Sequence, residues 1–131
     1  MKHTPISENH LYSKAYAKGE KCVTKSVVVY VLKDFKAKKL QNAHPLKLSV
    51  NRIGLTVTKK LGKAFARNRV KRILRAGLRQ TEKTHSLKTG YLIVIVARDI
   101  CVNLKSQDIE KDLTKAFYKL GLIKEQSNEQ N

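Results

Sequence analysis

The sequence predicts an α+β fold, one mixed sheet with helices packed on it. Three observations carry that prediction. A valine-dense run from Cys22 to Leu32 and a clean alternation from Leu48 to Lys59 have strand character. A strongly amphipathic stretch from about Ala64 to Gln80 has the period of a helix. Tyr91 to Ala97 is a nearly unbroken apolar run, which suits a central strand covered on both faces.

In chain order, Met1 to Ile6 is a loose start. Ser7 is placed to cap a short helix, with Glu8 set favourably against its dipole. Leu11, Tyr12, Ala15 and Tyr16 recur at helical spacing, and Gly19 sits where a glycine just past the helix would end it. The first strand run holds Val23, Val27, Val28, Val29 and Val31. Asp34 to Pro45 is polar and basic and reads as a mobile loop. In the second run Ile53, Leu55 and Val57 point one way, and Arg52, Gly54, Thr56 and Thr58 the other. An antiparallel pairing of these two runs is expected.

Leu61-Gly62 punctuates the chain before the long helix. Its buried stripe is Ala66, Val70, Ile73, Leu74, Gly77 and Leu78. Thr81 to Gly90 is expected to be a loop before the apolar strand. Ser106 is placed to cap a last helix, with Asp108 and Glu110 in its first turns. Ile109, Leu113, Ala116, Phe117 and Leu120 form that helix's core face, and Gly121 closes it. The polar end reads as frayed, so residues 1–124 form one domain and 125–131 a disordered tail.

Charge narrows the function. The chain has 131 residues, a net charge of +18 and a pI of about 10.1. From Phe35 to Thr81 there is no acidic residue but fourteen Lys and Arg. A one-sign field repels itself, so a polyanion that neutralises it is the natural partner. No apolar run approaches the ~20 residues of a spanning helix, and the N-terminus lacks a signal-peptide core, so a cytoplasmic location is the default. Cys22 and Cys101 are isolated and read as reduced, half-buried thiols. The four histidines show no zinc spacing.

The densest signal runs from Lys59 to Arg72: Lys59, Lys60, Gly62, Lys63, Arg67, Asn68, Arg69, Lys71 and Arg72, with Arg75 one turn on. Gly62 lets backbone approach a phosphate, and the following helix start offers unpaired N–H groups to an anion. Arginine grips phosphate with two parallel bonds, and lysine adds point charge. Asn68 can both donate and accept. A merely solvated basic face usually carries acids at i±4, and none occur here.

A second constellation is Tyr12 and Tyr16, four apart, with Lys14 and Lys18 beside them. These rings either stack unpaired bases or anchor the core with their hydroxyls in water. Tyr30, Thr56 and Thr58 line the same groove if the first helix and first strand share it. The basic segment has no carboxylates to hold catalytic metal ions, and no nucleophilic triad or nucleotide-binding glycine loop is present. From the residues alone, a structural binder of ribosomal RNA, a protein-only nuclease and a duplex-DNA binder remain as rivals to an RNA-binding subunit.

The stretch from Arg52 through Arg75 resembles the protein subunit of bacterial ribonuclease P: a strand, two lysines, a glycine, then Arg67-Asn68-Arg69 at the start of a helix. Tyr12 to Gly19 and Gly90 to Arg98 are similar to that family's first helix and late strand. The resemblance implies about four strands packed by three helices, in the order α-β-β-β-α-β-α, with a left-handed β-α-β crossover. It implies that a catalytic RNA subunit removes the 5′ leader of precursor tRNA, with Mg2+ held mainly by the RNA. No protein residue is then catalytic. Lys59, Lys60, Lys63, Arg67, Asn68, Arg69, Lys71, Arg72 and Arg75 would bind the catalytic RNA. Tyr12, Lys14, Tyr16, Tyr30, Thr56 and Thr58 would hold the leader. The chain departs from the family's commoner residues at Tyr12, Val27, Ala76, Leu78 and Leu92, none of them within the Arg-Asn-Arg motif.

Overall fold

The computed structural model describes residues 3–36 and 50–123. Its strands are β1 (His3–Pro5), β2 (Glu20–Val23), β3 (Val27–Lys33), β4 (Asn51–Thr56) and β5 (Tyr91–Ala97). Its helices are α1 (Asn9–Lys18), α2 (Ala64–Thr84) and α3 (Ser106–Lys119), with short 3-10 turns at Lys59–Leu61 and Asp99–Asn103. The sheet is mixed, in the order β1-β4-β5-β3-β2. The fold class is the expected α+β. The added strand is β1, three residues pairing parallel to the start of β4. Three residues ending in a proline are too few to show a period.

The expected antiparallel pairing of the first two strand runs does not occur. The first run is itself a hairpin, β2 and β3, turned by Thr24-Lys25-Ser26. Thr24 closes that turn with backbone and side-chain bonds to the Val27 carbonyl, both 2.8 Å. Asp112 of α3 fixes it from outside, accepting the Ser26 N–H at 3.0 Å and its hydroxyl at 2.5 Å. β5 then lies between β3 and β4, antiparallel to the first and parallel to the second. β4 and β5 are therefore joined through α2 as a β-α-β unit.

The central position of β5 explains its unbroken apolar run. Ile93 and Ile95 enter the main core with Val27, Val29 and Ile53, under Val70, Leu74 and Leu78 of α2 and Ile109, Leu113 and Phe117 of α3. Leu92 and Val94 face the opposite side and pack with Ile6, Leu11 and Ala15. The layers are thus α1, sheet, then α2 with α3. Gly77 is the point of helix contact, since a Cβ there would press into Ile109 of α3 at 2.7 Å.

Element ends differ from expectation in four places. Glu8, not Ser7, is the N-cap of α1. Gly19 ends α1 in an extended conformation, φ −76°. It is glycine because a Cβ would sit 2.6 Å from the Ala15 carbonyl oxygen. α2 runs a turn past Gln80, through residues expected to be loop. Thr81 is buried there with its hydroxyl on the Gly77 carbonyl, and Glu82 binds His3 at 2.9 Å. Ser106 is the first residue of α3 and not its cap; Asp108 accepts the Lys105 backbone N–H at 2.9 Å instead. At the far end Gly121 does close α3, with the Leu122 N–H returning to the Phe117 carbonyl at 2.8 Å.

Both cysteines are free. Cys22 is half-buried as expected, but Cys101 is fully buried, its thiol donating to the Ser26 carbonyl. Burial pushes that thiol above its ordinary pKa. No described helix is long and apolar enough to cross a membrane. The expected mobile loop lies outside the described residues from residue 37 on, as does the expected tail.

Candidate nucleic-acid interface

The basic segment starts where β4 ends. The 3-10 turn at Lys59–Leu61 buries Leu61 in the main core, which leaves Lys59 and Lys60 exposed. Gly62 follows at φ +122°, a conformation that side-chain-bearing residues rarely adopt, so glycine is required there by the backbone. It redirects the chain into α2. Lys63 is the N-cap but makes no side-chain capping bond, and the first turn of α2 has no acidic residue. The first-turn N–H groups therefore have no side-chain cap among the described residues.

α2 is amphipathic over twenty-one residues. Val70, Leu74, Gly77 and Leu78 are buried, while Asn68, Arg69, Arg72, Arg75 and Arg79 are exposed. Lys71 is half-buried at the edge of the stripe. Arg67 is also half-buried, with its Nε buried and unpartnered among the described residues. Arg69 donates to the Val102 carbonyl at 3.2 Å and the Leu104 carbonyl at 2.9 Å. Those bonds tie α2 to the 3-10 turn at Asp99–Asn103 and the residue after it. Among the described residues, no carboxylate lies within ion-pairing distance of Lys59, Lys60, Lys63, Arg67, Arg69, Lys71, Arg72 or Arg75.

Arg52 belongs to the same acid-free stretch but is not part of this face. It donates to both oxygens of buried Asp34, at 2.5 and 2.9 Å, and stands 3.7 Å from Glu8. The bonds to Asp34 hold its pKa above the ordinary arginine value. Lys36 also approaches Glu8, at 3.9 Å. Among the described residues, the basic window therefore has a part paired with acids around Arg52 and a part without acidic partners along α2.

The second constellation forms on the α1 side of the sheet. Tyr16 meets Tyr30 of β3 edge to face, ring centres 5.0 Å apart, and its hydroxyl lies 3.3 Å from Thr56 Oγ1. Tyr12 lies over Gly54 of β4 so closely that any Cβ there would collide with its ring and hydroxyl. Burial, then proximity to Tyr16, raises the Tyr12 pKa. Tyr16 is 42% exposed, whereas Tyr12 and Tyr30 are half-buried. Lys14 and Thr58 stand apart from the ring cluster. Lys14 is exposed and, two residues from Tyr12, turns to another side of α1. Thr58 is exposed beyond the end of β4, where its carbonyl starts the 3-10 turn.

A cavity of about 780 Å³ lies beside Tyr12 of the ring cluster and Arg75 of the basic segment. Ile6, Ile53 and Leu78 supply apolar walls, Tyr12 borders it from α1, and Arg75 and Arg79 border it from α2. Arg79 and the neighbouring His3 carry no motif, so their place beside the cleft shows only in three dimensions. Among the described residues no three His, Cys, Asp or Glu side chains converge as metal ligands. Two of the three acids of α3 are engaged locally, Asp108 at the helix start and Asp112 on the β2–β3 turn.

A family profile described as ribonuclease P matches residues 1–121. The chain belongs to that family. It is 34% identical to the ribonuclease P protein component of Clostridium acetobutylicum over 123 residues, 94% of this chain and 93% of that one. It is equally identical to the one from Oceanobacillus iheyensis, covering 94% and 91%. Among solved structures it superposes on the Staphylococcus aureus RNase P protein with a TM-score of 0.70 at 23% identity, covering 90% of this chain and 95% of that one. The Thermotoga maritima RNase P protein gives 0.60 at 20% identity, covering 79% and 86%. These structural likenesses bear on the fold, and the five-stranded mixed sheet with three helices agrees with them.

Proposed function

We propose that this chain is the accessory subunit of a ribonucleoprotein endonuclease, binding a catalytic RNA and the 5′ leader of precursor tRNA. The observation that carries the reading is the division of labour on the surface. The exposed face of α2 holds cations without carboxylate partners among the described residues, while a groove beside α1 holds rings and hydroxyls. Lys59, Lys60, Lys63, Arg67, Asn68, Arg69, Lys71, Arg72 and Arg75 meet the phosphates of the folded RNA. Tyr12, Tyr16, Tyr30 and Thr56 receive the single-stranded leader, with Lys14 and Thr58 at its margins.

The protein then contributes electrostatics and positioning, and the RNA contributes the chemistry. Two RNA molecules repel each other across their phosphates, and an unpaired cationic surface placed between them lowers that repulsion. Magnesium prefers oxygen ligands, and RNA phosphates supply them in place of side chains. Residues 1–124 act as one RNA-binding unit, working in the cytoplasm where precursor tRNA is processed.

Reconstitution with the catalytic RNA tests this. Leader cleavage is expected at a lower magnesium concentration with the protein than without it, and precursor is expected to bind more tightly than mature tRNA. No change in either quantity overturns the reading. Robust cleavage by the protein without RNA would replace it with a protein nuclease.

A further inference from the structure

We propose that Phe65 is a stacking anchor for an unpaired nucleobase of the bound RNA, at a point on α2 separate from the tyrosine cleft. The inference rests on the RNA-binding reading above and adds a contact to it. Phe65 is 75% exposed, ahead of Phe35 at 66% and Val23 at 55% among the described large hydrophobic residues. Its position is set by the helix. Val70, Leu74 and Leu78 take the buried stripe, and Leu61 supplies the apolar anchor just before the helix begins. The ring therefore has no place in the core and forgoes the burial that normally accounts for a phenylalanine.

Its neighbours say what it faces. Asn68, Arg69 and Arg72 follow at three, four and seven residues, the spacing that shares a helix face, and all are exposed. Lys60 and Lys63 precede it, also exposed. The first turn around it has neither an acidic residue nor a side-chain cap. A lone ring among cations that have no carboxylate partner among the described residues is a poor match for an apolar protein patch, which needs contiguous hydrophobic surface. It suits a nucleotide, which presents a flat π face beside a phosphate. Bases inside a duplex are hidden, so the feature recognised is an unpaired base in a loop or bulge.

The test compares Phe65→Leu and Phe65→Trp with the unaltered protein, titrating the catalytic RNA and an unrelated structured RNA across a salt series. Phe65→Leu is expected to weaken binding to the catalytic RNA roughly five- to a hundredfold. Its salt slope stays unchanged, because no phosphate contact is lost. Phe65→Trp is expected to bind as tightly as the unaltered chain. Equal affinity for Phe65→Leu overturns the stacking role while leaving the RNA-binding reading intact. If the unaltered protein does not prefer the catalytic RNA to the unrelated one, that reading fails and this inference fails with it.

Discussion

Arg52 and Arg72 come from one acid-free stretch of sequence, yet they stand in opposite electrostatic settings. Arg52 lies at the start of β4, its side chain 18% exposed and forked onto Asp34, which is 3% exposed. Arg72 stands on the exposed face of α2, with no carboxylate in ion-pairing reach among the described residues. The contrast separates a charge engaged within the fold from a charge that no acid of the described residues neutralises. A positive window in a sequence mixes the two, and only the position of the acids distinguishes them. Asp34 precedes the window by a single residue and returns to it through the register of β3, β5 and β4, where Leu32, Leu92 and Arg52 line up.

The strongest way to break this comparison is to remove Arg52. Arg52→Ala takes the forked guanidinium from the buried Asp34 carboxylate, and losing hydrogen bonds to a charged group of this kind costs about 1.5–3 kcal/mol. Chemical denaturation is expected to show a loss of that order. The salt slope of RNA binding at a temperature where the variant is folded is expected to match the unaltered protein. A loss under about 1 kcal/mol would place Arg52 with the surface charges, whose pairs contribute little.

Why Arg52 is not legible as a structural residue follows from how the sheet is assembled. Local pattern identifies the elements: valine density for β3, alternation for β4, and the period of Val70, Leu74 and Leu78 for α2. The same pattern places Tyr12 and Tyr16 on one side of α1 and Thr56 with Gly54 on one face of β4, so most of the groove is readable. Local pattern does not reveal which strands are neighbours. β5 inserts between β3 and β4 from about forty residues downstream, and parallel pairing through a helix leaves no turn signal to announce it. The end of α2 is obscured for a related reason. Thr81 and Glu82 look like loop residues until Gly77 and His3 supply their partners.

The groove sharpens the comparison from a third direction, since its rings touch each other and also face solvent. Tyr16 is the test case because it is the most exposed of the three and is held by Tyr30 and Thr56. Tyr16→Ala is expected to weaken precursor tRNA binding by about 1–3 kcal/mol, the range for one stacked base. Binding of mature tRNA, which lacks the leader, is expected to change little. Equal losses for both would mean that Tyr16 supports the fold, as Arg52 does, and contacts no leader.

Arg72→Ala is the smallest change and the most direct probe of the unpaired face. Arg72 is exposed, and no hydrogen bond or ion pair within the described protein engages it, so removing it should leave the denaturation midpoint near that of the unaltered chain. What it should alter is the dependence of RNA affinity on salt. Each phosphate neutralised releases counterions, and loss of one contact lowers the log–log slope by roughly 0.7–0.9. The pairing difference turns this into a discriminating experiment. Arg52→Ala is expected to change stability with the slope preserved, and Arg72→Ala to change the slope with stability preserved. If both variants shift the same quantity, the two arginines are not electrostatically distinct, and the exposed face of α2 would have no stronger claim on RNA than any other basic surface of the chain.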